Sequence, residues 1–110
     1  EVNKICRSNG GYSLPRINTN LYLHGNNFQK IQCLDKYTGL KALHLESNLI
    51  EVIEGLSHMT QLRILYLDRN IVSEIAGLEA CTRLDSLNIN ANRVFRISSL
   101  PPSLSTLNAA

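Results

Sequence analysis

The chain has 110 residues, of which 44% are hydrophobic and 18% charged, and a formal net charge of +2 at pH 7. That length suits one domain with a modest core, and the interspersed basic and acidic residues exclude the clustered Lys and Arg of a nucleic-acid footprint. No apolar run is long enough to span a bilayer, no secretory signal is visible, and a start at Glu1 with a stop inside a recurring pattern predicts a fragment of a longer protein.

Residues 1–17 are expected to form an N-terminal helical cap and linking loop. Val2, Ile5 and Cys6 share one side of a short helix that the Gly10-Gly11 pair would end. Pro15 excludes helix from residues 12–18 and biases Leu14 toward extended geometry. Such a segment would cover the first unit of a repeating array.

The array, 18–110, is written in units. Leu40, Leu43, Leu45, Asn48 and Ile50 recur as Leu62, Leu65, Leu67, Asn70 and Val72, and again as Leu84, Leu87, Ile89, Asn92 and Val94, each time 22 residues on. Leu21, Leu23, Asn26 and Phe28 begin the series, with Asn18 where later units have leucine. The spacing L-x-x-L-x-L-x-x-N at this period is the leucine-rich-repeat signature. The predicted fold is therefore an α/β leucine-rich-repeat solenoid, a horseshoe arc with short parallel strands on its concave face, the first at Leu21 to Leu23. It should hold about four full repeats and the start of a fifth, truncated at the C-terminus.

The second halves read Phe28, Ile31, Leu34, Tyr37, then Ile50, Ile53, Leu56, Met59, then Val72, Ile75, Leu78, Cys81. Apolar residues three apart argue against a second strand, and for short helical or 3-10 turns on the convex side near Leu34 to Thr38, Leu56 to Thr60 and Leu78 to Thr82. The fourth unit is two residues shorter, and Pro101 and Pro102 predict extended chain in place of its helical turn. Leu104 and Leu107 reopen the strand pattern and leave an open edge, through which the fragment is expected to self-associate. Cys6, Cys33 and Cys81 are odd in number and lack metal-ligand spacing. They are expected to be free structural thiols in a reducing compartment.

Asn26, Asn48, Asn70 and Asn92 form a structural ladder, since an inward amide can satisfy backbone groups that a turn leaves unpaired. Function is left to the concave side chains. One column reads Tyr22, His44, Tyr66 and Asn88; its neighbours read His24, Glu46, Asp68, Asn90 and Asn20, Ala42, Ile64, Ser86, with Gly25, Ser47, Arg69 and Ala91 one position further on. Tyr22, His44, Ile64 and Tyr66 offer contact area with polar tips, the mixture found at protein interfaces. Glu46 and Asp68 on adjacent strands would repel unless Arg69 or a partner's Lys or Arg relieved them. His24, His44 and Glu46 superficially resemble a metal or acid–base cluster. The surface is open, however, with no third spaced ligand, nucleophile elbow or phosphate-cradling loop. No enzyme, cofactor or metal is predicted. His58 is placed on the convex segment as a solvated side chain.

The non-repeated text is more specific. Lys4-Ile5-Cys6, Leu21-Tyr22-Leu23-His24, Phe28 with Ile31, Tyr37-Thr38-Gly39-Leu40-Lys41, and Leu84-Asp85 with Leu87-Asn88 resemble the early repeats of the dynein axonemal assembly factor 1 family of ciliary proteins. The unit is also similar to those of a phosphatase-regulatory nuclear protein and of axonemal dynein light chain. His44 stands where the family usually has a large aromatic. Gln32-Cys33, Glu54-Gly55 and Ala76-Gly77 depart from its Glu-Asn, and the Pro101-Pro102 unit is atypical. The resemblance implies a non-enzymatic scaffold for cytoplasmic preassembly of axonemal dynein arms, associated with a cilium or flagellum. It implies dynein chains or assembly chaperones as protein partners, with neither nucleic acid nor membrane, and Tyr22, His24, Glu46, Tyr66, Asp68 and Asn88 as matching surface residues. The alternatives are a regulatory subunit of a type-one protein phosphatase built on the same repeat class, and a spacer between other domains.

Overall fold

A strand one residue long on each side of a buried leucine is the building block. The computed structural model describes residues 17–109. In it β1 (Asn20–Tyr22), β2 (Ala42–His44), β3 (Ile64–Tyr66), β5 (Ser86–Asn88) and β7 (Thr106–Asn108) form one parallel sheet in the order β1-β2-β3-β5-β7. The central residues Leu21, Leu43, Leu65 and Leu87 are fully buried and stand in register with one another, while their neighbours point to solvent. This alternation follows from the period of two along a strand. Parallel neighbours need a crossover, and each return segment supplies one, burying Phe28, Ile31, Leu34 and Tyr37 and their counterparts in the next two units against the inner side of the sheet. The result is the leucine-rich-repeat solenoid that the 22-residue period predicts. β1 lies one residue earlier than expected, but Leu23 N still donates to His44 O at 2.8 Å, so the ladder runs on through Leu23.

The short turns expected in the return segments are there, of the tight i→i+3 kind. Each closes an i→i+3 turn, Tyr37 N to Leu34 O at 3.0 Å, Met59 N to Leu56 O at 3.0 Å and Cys81 N to Leu78 O at 3.1 Å, and the latter two are followed by another, Leu62 N to Met59 O at 3.3 Å and Leu84 N to Cys81 O at 3.2 Å. Ahead of those turns the chain is extended and bonded to its neighbouring unit, with Leu49 N donating to Phe28 O at 2.8 Å, Ile71 N to Ile50 O at 3.0 Å and Arg93 N to Val72 O at 3.1 Å. A second, two-stranded parallel sheet, β4 (Glu74–Ile75) with β6 (Arg96–Ile97), occurs where none was expected. The three-residue spacing has another cause. Cys33, Gly55 and Gly77 adopt φ of +62°, +75° and +77°, and one left-handed residue between two extended ones brings Ile and Leu three apart onto the same side. Among the described residues no helix is long and apolar enough to cross a membrane.

The fourth unit keeps a turn as well. Leu104 N donates to Pro101 O at 3.0 Å, as Leu84 N donates to Cys81 O at 3.2 Å, so the shortened unit drops the Leu78-type turn and retains the following one. Pro102 then occupies the second position of the turn, where its fixed φ is favoured. Pro101 is buried in the place of Cys81, whereas Leu100, Ile97 and Phe95 are exposed on this last return segment.

Two cysteine expectations are corrected together. Cys33 is exposed and disulfide-bonded, so the expectation of free thiols throughout does not hold. Its place in the unit is that of Gly55 and Gly77, a corner, and not the inward place of Cys81. Cys81 is a free, fully buried thiol. The cap expected over residues 1–17, Cys6 included, lies outside the described residues except for Ile17.

Two predictions follow from these local geometries. A Cβ at Gly77 would stand 2.3 Å from Ile53 O, whereas one at Gly25, also left-handed, meets nothing within 4 Å. Gly25→Ala should therefore cost about 1 kcal/mol from backbone strain alone, and Gly77→Ala clearly more. Urea unfolding of the two variants measures the difference. Burial, reinforced by Glu79, pushes the Cys81 thiol up to about 11. Stability that this group contributes below pH 9 is lost as pH rises from 9 toward 11, and at pH 8 alkylation of Cys81 should proceed only as fast as the protein opens. Mass spectrometry with and without urea checks this.

Candidate functional site

The outer side of the five-stranded sheet is positioned by the corners that end its strands. Gly25, Ser47, Arg69 and Ala91 take φ of +67°, +58°, +58° and +57°, turning the chain so that the next asparagine points inward. Asn48 Oδ1 accepts from Asn26 N at 2.9 Å and Phe28 N at 3.0 Å, while its Nδ2 donates to Leu23 O at 3.1 Å and Leu45 O at 2.9 Å. Asn70 accepts from Ile50 N at 2.9 Å and donates to Leu45 O and Leu67 O, both at 3.0 Å. Asn92 accepts from Val72 N and donates to Leu67 O and Ile89 O, all at 2.9 Å. Each amide thus bridges its own unit and the one before. Asn26 is exposed and its Nδ2 donates within its own corner, to His24 O at 2.8 Å.

With register fixed, side chains 22 residues apart stand about 4.8 Å apart on neighbouring strands. Three of them are rings. Tyr22 stacks on His44 with centroids 4.4 Å apart and planes at 22°, and His44 on Tyr66 at 4.3 Å and 11°. His24 meets Tyr22 edge-on at 6.4 Å. The imidazole of His44 is therefore covered on both faces, while Tyr22 at the end of the stack is 53% exposed. The same column continues into Asn88, whose Oδ1 accepts from Asn108 Nδ2. Ile64 lies half-buried one column away, with Ala42 and Ser86.

Carboxylates flank the stack at the strand ends. Glu46 Oε2 lies 3.5 Å from His44 Nδ1, and the shielded Glu46 Oε1 has no hydrogen-bond partner. Asp68 Oδ2 lies 3.5 Å from Arg69 Nη2, and Arg69 Nε donates to Ser47 Oγ at 3.1 Å. Asn90 is half-buried in the same row. Exposed Lys41, Arg63 and Asp85 stand at the strand starts, and Glu46, Asp68 and Arg69 at the strand ends, so both rims carry mixed charge. Arg69 thus lies beside Asp68 and His44 beside Glu46.

Sequence reasoning listed the three rings but not their continuous stack, although aromatics recurring at one place in the unit carried the signal. It also took His58 for a merely solvated side chain, whereas its Nε2 donates to Leu34 O of the preceding unit at 2.5 Å. That carbonyl also accepts from Tyr37 N in its own turn, and the ring reaches it across the stack of units. Chemically the face offers ring edges, phenolic hydroxyls, two carboxylates and amides. Among the described residues no group of three or more His, Cys, Asp or Glu is placed to hold a metal ion.

Over 42 residues, 38% of the chain, the sequence is 40% identical to dynein axonemal assembly factor 1 of Homo sapiens and of Mus musculus, and 43% identical to the dynein axonemal assembly factor 1 homolog of Drosophila melanogaster. The matched stretch amounts to 6%, 7% and 3% of those proteins, respectively. No protein-family model matches the chain. The likeness relates part of the chain to these assembly factors.

The graded burial of the ladder has a measurable consequence. Asn70→Ala removes an amide that serves three buried backbone groups and should cost about 1–3 kcal/mol or more. Asn26→Ala, at an exposed corner, should stay within about 0.5 kcal/mol of the parent. Equal losses in denaturant titrations would contradict this difference in role.

Proposed function

We propose that this chain is a non-catalytic protein-binding scaffold acting in the cytoplasmic preassembly of axonemal dynein arms, with the outer sheet face around Tyr22, His44 and Tyr66 as the surface that holds the partner. The carrying observation is the three-ring stack on the outer side of the parallel sheet, with Tyr22 exposed at its end, joined to the 42-residue likeness to dynein axonemal assembly factor 1. Tyrosines already held by stacking lose little freedom on binding, and Tyr is among the residue types that dominate interface energetics. Catalysis is disfavoured on geometric grounds. The His44–Glu46 pair faces no nucleophile, and its ring is sandwiched away from any reacting group. Dynein chains or their assembly chaperones are the partners this reading supplies, and Glu46, Asp68, Arg69, Asn88 and Asn90 form the polar surround.

Affinity capture with the full-length protein, from cells building cilia or flagella, tests it. Dynein chains or co-chaperones should be recovered, and the pair Tyr22→Ala with Tyr66→Ala should weaken their binding at least tenfold, about 1.4 kcal/mol. A control at Glu51, on the return side, should bind as the parent does. Recovery of a type-one phosphatase catalytic subunit alone, or undiminished binding by the double variant, would overturn the assignment.

A further inference from the structure

We propose that Ser99 is a phosphorylation site for a protein kinase that reads an arginine three residues before its acceptor, and that the added phosphate undocks the fourth return segment from the third. This goes beyond the binding role proposed above and does not depend on it.

Three described hydroxyls follow an arginine by three residues: Thr19 after Arg16, Ser86 after Arg83 and Ser99 after Arg96. A kinase that selects its substrates by charge needs that arginine free and the acceptor on chain that can be drawn away from its own fold. Ser86 is fixed inside β5, between β3 and β7, and Arg83 Nη1 donates to Gln61 Oε1 at 2.9 Å. Thr19 leads into β1, and its carbonyl accepts from Lys41 N at 2.8 Å and Ala42 N at 3.0 Å. Ser99 lies beyond the end of β6, outside any strand, and the Arg96 side chain is 70% exposed, with its Nε 3.9 Å from Glu74.

The place itself is an outward one. Two periods earlier, Glu54 and Gly55 hold the positions of Ser98 and Ser99 in a unit flanked on both sides, and both are exposed. Little holds the segment back. Phe95 N donates to Ser73 O at 3.0 Å, and Ser98 N and Ser99 N share Ile75 O at 3.0 and 3.4 Å, while Phe95, Ile97 and Leu100 are exposed. A stretch with so few buried contacts opens locally at far lower cost than the sheet unfolds.

The consequence of phosphorylation follows from what the hydroxyls touch. Ser99 Oγ donates to Glu79 Oε2 at 3.3 Å and Ser98 Oγ donates to Glu74 Oε2, both across to the third unit. Transfer of the γ-phosphoryl group of MgATP to Ser99 Oγ releases ADP and the hydroxyl proton, so this donor is lost. A group carrying about −1.5 to −2 charge at pH 7 then stands against Glu79, with Glu74 on the same return segment, and like charges push the two segments apart.

The test treats the 110-residue chain with MgATP and the catalytic domain of a calcium/calmodulin-dependent protein kinase, which selects arginine three residues before the acceptor. Phosphopeptide mass spectrometry should place most of the phosphate on Ser99. Arg96→Gln should slow its incorporation at least tenfold, and Arg93→Gln less than twofold. Once Ser99 is phosphorylated, hydrogen exchange at the Phe95, Ser98 and Ser99 amides should run at least fivefold faster, with the Leu65 and Leu67 amides unchanged. Glu79→Gln should remove most of that acceleration. Failure to incorporate phosphate, phosphate chiefly on Thr19, Ser86 or Ser98, or an Arg96→Gln variant modified as fast as the parent would overturn the site. An unaltered exchange pattern in the phosphorylated chain would overturn the undocking.

Discussion

One side-chain amide, repeated, holds the units of this protein to one another. Asn48, Asn70 and Asn92 each accept from the backbone of the preceding unit and donate to carbonyls of both units. A unit standing alone would leave those backbone groups buried without partners, a cost of about 1–3 kcal/mol for each. Stability is consequently a property of neighbouring pairs, as expected of a quasi-one-dimensional stack. The leucine core adds cohesion without direction, since it is apolar throughout. The amides add register, because a slip of one residue would break their bonds as well as turn every leucine outward.

Register in turn creates the surface chemistry. Nothing in an isolated strand of three residues would hold a tyrosine flat, yet Tyr22, His44 and Tyr66 stack because three corners bring their strands into step. The same step sets Glu46 and Asp68 side by side, with His44 and Arg69 beside them. An orderly interior thus lays out the exterior, and the binding reading draws on that surface.

The sequence disclosed what depends on periodicity. The 22-residue step placed the buried leucines, the asparagine corners and the outward columns, because each has one dominant physical requirement per position. It disclosed poorly what depends on competition between similar local states. Ile53 and Leu56, three residues apart, suit a helical turn as well as an extended chain with a left-handed residue, and only the close approach of Ile31 O to Gly55 shows which applies. Cys33 looked like a small hydrophobe until its corner position was seen, and His58 looked solvated because the carbonyl it meets belongs to residue 34. Pro101-Pro102 signalled the loss of the Leu78-type turn, but not that the following turn, which Pro102 favours, would be kept.

The hydrogen bonds that join return segment to return segment have a geometric corollary. Rows of helices behind a sheet splay the units, since helix axes sit 8–10 Å apart against about 4.8 Å for strands. Here Phe28 O, Ile50 O and Val72 O each accept from the next unit, clamping the rear of the array near the same pitch as its front. The stack is thereby held straighter than a helix-backed horseshoe. A bound chain would lie along it as on a shelf, and contact area would grow with the number of units laid end to end.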